Sequence, residues 1–230
     1  MYRQYKICVV IPCLNEEEGI KKVLSEIPSY VDEVIVVDNG STDNTPLVAS
    51  SFGARVIKES RRGYGRAYKT GIAAANGDII VTMDGDGSYP TKEIENLLAP
   101  IIEAKADFVS GSRFPLKNKT SMATLNRIGN FALTFCANIL FFKSLKDSQS
   151  GMWAFPKKNY HVIEPVSDGM AFSQEIKLNS ILAKFRFKEV FISYFPRTGV
   201  VKLSWFKDGV LNLISILKTR IWFLKKKKQQ

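Results

Sequence analysis

The stretch "GDIIVTMDGDGSYP", residues 77–90, runs from a β-branched apolar segment directly into two aspartates separated by one glycine. The apolar segment predicts a buried β-strand, which places Asp84 and Asp86 at its carboxyl end. Two like charges at positions i and i+2 repel each other, so either water screens them or a cation neutralises them. This strand end is therefore a candidate cation site.

The segments around this stretch alternate between two patterns. "KICVVIP", "VDEVIVVDNG" and "ARVIKES" have the pattern of strands, and amphipathic helical segments separate them. Further strands are predicted at "ADFVSGSR" and within residues 185–195. Apolar strands that alternate with helices predict an α/β fold, with a mostly parallel central sheet flanked by helices.

Polar side chains follow several of the predicted strands. Open α/β sheets bind ligands at the carboxyl ends of their strands, where the loops converge. Besides the two aspartates, the candidate residues at these ends are Pro12, Asn15, Glu16, Asp38, Asn39, Gly40, Gly111, Ser112 and Arg113.

Two interpretations of the Asp84 and Asp86 pair stay open on the sequence alone. Paired carboxylates suit Mg²⁺ or Mn²⁺ with open positions for phosphate, whereas Asp-Gly pairs are also common in turns. An EF-hand does not fit, because Tyr89 occupies the position that requires glycine and a strand precedes the loop.

Two glycine-containing loops are candidates for phosphate binding. The first strand leads into "PCLNEEEG" and lacks the G-x-G-x-x-G pattern, so a dinucleotide site is excluded. The loop "RRGYGRAYKTG" carries Arg61, Arg62, Arg66 and Lys69. These cations either contact phosphates or form a solvated basic loop.

Composition and charge narrow the class of protein. The chain has 230 residues, 45% of them hydrophobic, which suits one globular body. Of the net charge of +11, residues 196–230 carry +8.

The three cysteines, Cys8, Cys13 and Cys136, show no metal-ligand spacing and indicate a reducing compartment. No signal-peptide pattern or spanning segment is recognised, so we expect neither export nor a membrane span.

The basic C-terminal segment also carries a periodic apolar pattern. An apolar stripe at three- or four-residue steps predicts an amphipathic helix over residues 203–230, ending in Lys225 to Lys228. This combination favours a membrane surface over nucleic acid as the partner. The alternative is an ordinary helix packed on the domain through its stripe. The stripe consists of Phe206, Val210, Leu213, Leu217, Ile221 and Leu224.

A second apolar helix is predicted at residues 127–142, and Arg127 at its start would lie near a lipid phosphate. His161 lies outside all the motifs and has no predicted role.

Seven motifs in order carry a family resemblance: "VVIPCLNEEEGI", "VIVVDNGSTDNT", "RRGYGRAYKTG", "GDIIVTMDGDGSYP", "GSR", "DSQSGMWAF" and "FPRTGVVKLS". They span nearly all of the chain, and together they resemble family 2 glycosyltransferases of the GT-A fold. More narrowly, the chain is similar to the dolichyl-phosphate or polyprenyl-phosphate sugar synthases. The resemblance implies a catalytic domain at residues 1–202, and the apolar stripe with the terminal lysines predicts a membrane-docking helix at 203–230.

The implied reaction is an inverting transfer of one hexose from GDP-mannose, UDP-glucose or UDP-N-acetylglucosamine to dolichyl or polyprenyl phosphate. Such an enzyme would be cytoplasmic and peripheral on the cytosolic face of a membrane. An anionic acceptor phosphate needs little help from a general base, which suits a chain with one histidine. Two alternatives are a non-catalytic nucleotide-sugar-binding or scaffold protein and a nucleic-acid-binding protein.

The resemblance also implies roles for individual residues. A Mg²⁺ or Mn²⁺ ion would be held by Asp84, Asp86 and Ser88. The nucleotide would be bound by Pro12, Asn15, Glu16, Asp38, Asn39, Gly63, Asp84 and Gly85. The residues expected to act in catalysis are Asp86, Arg113, Arg127, Asp147, Arg197 and Lys202. Within the last set, Arg113 and Arg127 would receive the acceptor phosphate, while Arg197 and Lys202 would close over the donor phosphates. Asn39 replaces an aspartate common in the family, which leaves base or ribose recognition open.

Overall fold

A computed structural model describes residues 1–199 and 205–227. Within this part of the chain the strands are β1 (Ile7–Cys13), β2 (Glu33–Asp38), β3 (Arg55–Lys58), β4 (Ile79–Thr82), β5 (Phe108–Ser112), β6 (Trp153–Pro156) and β7 (Phe187–Phe191). The helices are α1 (Glu17–Ser25), α2 (Thr45–Ser51), α3 (Tyr64–Ala74), α4 (Ile94–Ile102), α5 (Thr124–Phe141), α6 (Tyr160–Ile163), α7 (Phe172–Leu182) and α8 (Trp205–Lys227).

The strands form one sheet in the order β3-β2-β1-β4-β6-β5-β7. All neighbouring strands are parallel except around β6, which is antiparallel to both β4 and β5. The predicted α/β class and mostly parallel sheet are therefore confirmed. Because β1, β2 and β4 are parallel, their carboxyl ends lie along the same edge of the sheet.

Helices cover both faces of the sheet, and alternate residues of β1 supply each face. Ile7, Val9 and Ile11 join the core beneath α1 and α4, whereas Cys8 and Val10 join the core beneath α3 and α7. All five are fully buried. This explains why the strand is apolar on consecutive residues, since a strand covered on both faces has no side that meets water.

A smaller cluster joins the two long helices to the body. Phe141 of α5, Leu178 of α7 and Ile216 of α8 share this cluster. The helices α5 and α8 pack side by side, and α8 also contacts α7. No helix in the described ranges combines the length and apolar character needed to cross a bilayer.

Close backbone packing fixes the loop after β4. A Cβ atom at Gly19 of α1 would come within 2.5 Å of the carbonyl oxygen of Gly85. A Cβ atom at Gly151 would come within 3.1 Å of Asp84 Oδ1. The acidic loop is thus held between α1 and the loop before β6, which leaves its carboxylates little freedom.

Candidate active site

The two aspartates after β4 are held in different ways. Asp84 Oδ1 accepts a hydrogen bond from the Tyr64 hydroxyl at 2.7 Å, with the Tyr68 hydroxyl at 3.4 Å. Asp86 Oδ1 accepts from both the backbone N–H and the hydroxyl of Ser88, at 2.9 and 2.6 Å. Both bonds go to a single oxygen of Asp86, so Oδ2 is the oxygen that remains for a cation.

The electrostatics of the pair agree with a cation site. Burial, together with the neighbouring charge of Asp86, raises the pKa of Asp84 to about 7. Burial and the charge of Asp86 thus both disfavour the ionised form of Asp84 in the absence of a cation. Carboxylate oxygens are the ligands that Mg²⁺ and Mn²⁺ prefer, so the side chains present fit such an ion.

Arg197 provides a cation beside these acids. Its Nη2 donates to Glu16 Oε1 at 2.9 Å and lies 3.6 Å from Asp86 Oδ2. Its Nε is buried and has no hydrogen-bond partner among the described residues. The segment that carries Arg197 is tied to the acidic loop, because the backbone N–H of Thr198 donates to the carbonyl of Asp86 at 2.8 Å.

A cavity of about 300 Å³ opens over the strand ends. It brings together residues from seven separate places in the sequence, including most of the predicted nucleotide-binding residues. Its lining contains Pro12, Glu16, Asn39, Gly63, Asp84, Gly85, Asp86 and Arg197.

Three predicted residues lie beside this cavity and support its walls. Asp38 Oδ1 accepts from the backbone N–H of Ser41 at 2.9 Å, and Asn15 Oδ1 accepts from that of Thr42 at 2.7 Å. Ser88 is fully buried and supports Asp86 as described above. Their predicted contacts with nucleotide or metal stay predictions. Lys202, which was predicted to close over the phosphates, lies outside the described residues.

Asn39 uses its side-chain amide to build a loop. Its Nδ2 donates to the carbonyls of Glu59 and Arg61 at 3.0 and 2.8 Å, and its Oδ1 accepts from the backbone N–H of Gly63 at 2.8 Å. The position of Gly63 in the cavity wall therefore depends on Asn39. This gives a structural reason for an amide at this position, since a carboxylate has no N–H to donate.

The basic loop 61–69 fits neither interpretation fully, because its cations are neither all solvated nor all available to a phosphate. Arg66 Nε donates to Glu59 at 3.1 Å, and Lys69 Nζ lies 2.5 Å from Asp168. The first amides of α3 donate to backbone carbonyls of the loop 168–169. Of the four cations only Arg62 lines the cavity.

Arg113 and Asp147 form a buried ion pair behind the acidic loop. Arg113 Nε and Nη2 donate to the two oxygens of Asp147 at 2.7 and 2.9 Å. Burial alone would raise the pKa of Asp147, but the guanidinium outweighs this effect and holds the pKa well below its usual range. Arg113 also approaches Asp84 closely enough to lower the pKa of that carboxyl. The pair thus sets the orientation of a cation near Asp84.

Arg127 lies in a separate groove of about 610 Å³ along α5, called here the α5 groove. Arg127 and Lys146 line it together with Ile128, Phe131, Phe135 and Leu145. Asn130 and Thr134 form its floor and bond to Asp147 and Ser148, at 3.1 and 2.9 Å. The floor of the α5 groove is therefore in direct contact with the loop that carries Asp147 of the Arg113–Asp147 ion pair.

Sequence reasoning missed the buried Lys177 on α7. Its ammonium group donates to the carbonyls of Asp147, Ser148 and Ser150 at 3.3, 3.1 and 2.6 Å. Burial lowers its pKa to about 7. Lys177 therefore holds the loop that carries both Asp147 and Gly151, the glycine that packs against Asp84. Tyr64 and Tyr68, also missed, occupy one face of α3 at a spacing of four residues, which was a signal available in the sequence.

The outward faces of α5 and α8 are apolar. Leu213, Leu217 and Ile221 of the predicted stripe are exposed, and Phe131 of α5 is 73% exposed. Besides the apolar Ile216, the inward positions of α8 include polar residues, with Asn212 and Thr219 only 5% and 8% exposed. These exposures contradict the alternative in which the apolar stripe packs against the domain. The side chains of Phe206, Lys226, Lys227 and Lys228 lie outside the described part of the chain.

Known proteins resemble this chain over most of its length. Residues 8–161 match the model of Glycosyl transferase family 2. A dolichyl-phosphate hexose transferase of Haloferax volcanii is 35% identical over 215 residues, covering 92% of each chain. A UDP-N-acetylglucosamine--dolichyl-phosphate N-acetylglucosaminyltransferase of Methanococcus voltae is 29% identical and covers 87% of this chain and 92% of its own length.

Among solved structures, the glucosyl-3-phosphoglycerate synthase of Mycobacterium tuberculosis has a TM-score of 0.71 at 25% identity, covering 94% of this chain and 80% of that one. It was crystallised with Mn²⁺, UDP and glucosyl-3-phosphoglycerate. Fold and site together define a glycosyltransferase of the GT-A type. The chain belongs to glycosyltransferase family 2, which confirms the family expected from the motifs.

Proposed function

We propose that this glycosyltransferase moves one hexose from a nucleoside diphosphate sugar to dolichyl or polyprenyl phosphate at the cytosolic face of a membrane, for protein or lipid glycosylation. One observation carries the proposal: the α5 groove joins cations to an exposed apolar surface beside the acidic cavity. A lipid phosphate is an acceptor that is both anionic and apolar. The names of the relatives from Haloferax and Methanococcus support this acceptor.

The donor belongs in the cavity over the strand ends. Asp84 and Asp86 would hold Mg²⁺ or Mn²⁺, and Arg197 and Lys202 would contact the diphosphate. No cluster of three or more acidic, histidine or cysteine side chains that could hold a metal occurs in the described residues. Phosphate oxygens and water would therefore complete the shell. When bound, the ion supplies a Lewis acid that stabilises the charge of the departing diphosphate. GDP-mannose, UDP-glucose and UDP-N-acetylglucosamine are the donors proposed.

The acceptor phosphate would bind between Arg113 and Arg127. Among the residues that the structure describes, Arg127 and Lys146 form no ion pair through their side chains, so their charges are available to an anion. An acceptor phosphate oxygen would attack the anomeric carbon as the bond to the diphosphate breaks, with inversion. The acceptor oxygen is already anionic, so no residue is needed as a general base.

Membrane docking would bring the acceptor to this groove. The outward apolar faces of α5 and α8 would enter the interface, and the basic segment at 203–230 would attract anionic lipids. Residues 1–202 would form the catalytic domain. No nucleic-acid partner is proposed.

The test is a transfer assay with vesicles that contain polyprenyl phosphate, radiolabelled donors and either Mg²⁺ or Mn²⁺. We expect one donor to give a labelled lipid that requires the metal. Polyprenol without phosphate and soluble 3-phosphoglycerate serve as comparison acceptors. Transfer to 3-phosphoglycerate alone would contradict the lipid acceptor. Arg127→Ala should raise KM for the lipid phosphate, while Lys92→Ala should not, because Lys92 is exposed and does not line the α5 groove.

A further inference from the structure

Asp86 offers only one carboxylate oxygen to a cation. Its Oδ1 accepts from the N–H and hydroxyl of Ser88, which uses both acceptor positions of that oxygen. Its Oδ2 faces the Arg197 guanidinium at 3.6 Å. A divalent ion that binds Asp86 must therefore compete with Arg197 for this oxygen.

Arg197 is incompletely satisfied where it lies. It is bonded to Glu16 and close to Asp86, but its buried Nε has no hydrogen-bond partner among the described residues. A buried charged donor without a partner costs free energy, and a phosphate oxygen would supply the missing acceptor. A diphosphate would therefore satisfy the hydrogen-bond donors of Arg197 more completely than Glu16 and Asp86 do.

A change of partner needs no opening of the backbone. The segment before and around Arg197 is bonded to the acidic loop at two points, from Phe195 N–H to the Ser88 carbonyl at 2.9 Å and from Thr198 N–H to the Asp86 carbonyl at 2.8 Å. Rotation of the long side chain suffices. Arg197 also lines the cavity, so both partners are within its reach.

We propose that Arg197 is a stand-in counter-ion, which holds Asp86 in the nucleotide-free enzyme and releases it to the divalent ion when a diphosphate binds. The inference rests on the proposed function for a divalent ion and a diphosphate in this cavity, but not for the acceptor. Metal and nucleotide then bind cooperatively, and by linkage each raises the affinity for the other by the same factor. Free metal alone binds weakly, because it must displace Arg197 without offering it another anion.

The test measures Mn²⁺ binding by calorimetry and by electron paramagnetic resonance, with UDP or GDP absent and present. In the unaltered protein we expect the nucleotide to strengthen Mn²⁺ binding at least about fivefold, the lower end of typical couplings. In Arg197→Ala, and in Arg197→Gln, which keeps most of the side-chain volume, Mn²⁺ alone should bind at least about fivefold tighter. The strengthening by nucleotide should shrink.

Arg62→Ala is the matched control, because Arg62 also lines the cavity but forms no ion pair with Asp86 among the described residues. It removes the same charge and should change the affinity for Mn²⁺ alone less than twofold. Thermal melting checks that each variant is folded.

An unchanged or weaker affinity for Mn²⁺ alone in both Arg197 variants overturns the inference, as does an equal increase in Arg62→Ala. These outcomes are independent of sugar transfer. A chain that transfers sugar to lipid but shows no Arg197 effect contradicts only this inference. A chain that shows the Arg197 effect but uses another acceptor contradicts only the proposed acceptor.

Discussion

In the central sheet, strand β1 buries apolar residues toward both faces, and Val9 and Val10 are fully buried between two layers of helices. In the pair formed by α5 and α8, the inward positions include the polar residues Asn130, Asn212 and Thr219. The outward positions of the same helices carry leucine, isoleucine and phenylalanine. Strand β1 therefore buries its apolar side chains, whereas α5 and α8 bury several polar residues and leave many apolar ones exposed.

This difference indicates that the two regions face different surroundings. Burying a leucine or phenylalanine side chain stabilises by about 1.5–3 kcal/mol, so a pair of helices designed for water would turn these residues inward. An outward apolar face suits an apolar medium. The strand ends, in contrast, gather carboxylates and cations that suit a water-soluble anion with its metal. In the proposed reaction, the water-soluble donor and the lipid acceptor would bind to these two different regions of the molecule.

The largest effect is expected in the acidic cavity. Asp86→Asn keeps the shape of the side chain but removes the negative charge that would hold the proposed metal ion. Even groups that merely orient metal ligands cost about 10- to 100-fold when mutated, so we expect turnover to fall by more than about 100-fold. A sugar-transfer assay measures the turnover. Thermal melting tests whether the fold is intact, and the melting temperature should not fall.

Vesicle binding by the same variant sharpens the comparison. If the regions are independent, Asp86→Asn partitions to vesicles as the unaltered protein does. A fully active variant would reject the metal assignment, and lost vesicle binding would reject the division of the substrates between two regions.

Neighbouring residues of α8 provide a second test. Ile216 is fully buried, whereas Leu217 is 44% exposed. Ile216→Ala should lower the free energy of unfolding by about 2–5 kcal/mol, because it leaves a cavity between α5, α7 and α8. Leu217→Ala should change it by less than about 0.5 kcal/mol. Urea denaturation measures both, and equal losses would contradict the outward direction of the stripe.

Much of the sheet was predictable because its signals are local. The apolar run before Asp84 defines β4, and parallel strands bring the residues after β1, β2 and β4 to one edge wherever the loops go. That rule alone placed Glu16, Asn39 and Asp86 in one cavity. The apolar stripe on α8 was also predicted from the sequence, but periodicity shows only that one face of the helix is apolar. Whether the face points inward depends on the neighbours α5 and α7.

The interactions that were missed depend on contacts distant in sequence. β6 joins the sheet antiparallel between β4 and β5, and no local pattern selects those partners. Lys177 has the pattern of an exposed helical residue, and its burial depends on three carbonyls of a loop about 30 residues earlier. Binding of the nucleotide by Asn39 stays a prediction, but the hydrogen bonds of its amide to the backbone around Gly63 were not predicted.

A third test concerns the outward face directly. Leu213→Glu combined with Leu217→Glu places two charges on the surface proposed to enter the membrane. Since burial of even one leucine is worth about 1.5 kcal/mol or more, partitioning to vesicles should fall by at least about tenfold. Sedimentation with vesicles of anionic lipids measures it.

The matched control for that variant is binding of the nucleoside diphosphate with Mn²⁺, which should not change. Unchanged partitioning would show that these leucines do not enter the bilayer, and the inverted pattern of α8 would then need another partner.

The smallest effect is expected where the two regions meet, at Lys177. Burial lowers its pKa to about 7 from an unfolded value near 10.5, so between these values the unfolded chain binds more protons than the folded one. The contribution of Lys177 to the free energy of unfolding therefore rises with pH across this range. In Lys177→Met this contribution is absent. Urea denaturation at pH 7 and pH 9 should show the unaltered protein gaining stability over the variant as the pH rises. A difference that stays constant or shrinks would contradict a buried, shifted lysine beneath Asp147, and with it the link between the acidic cavity and the α5 groove.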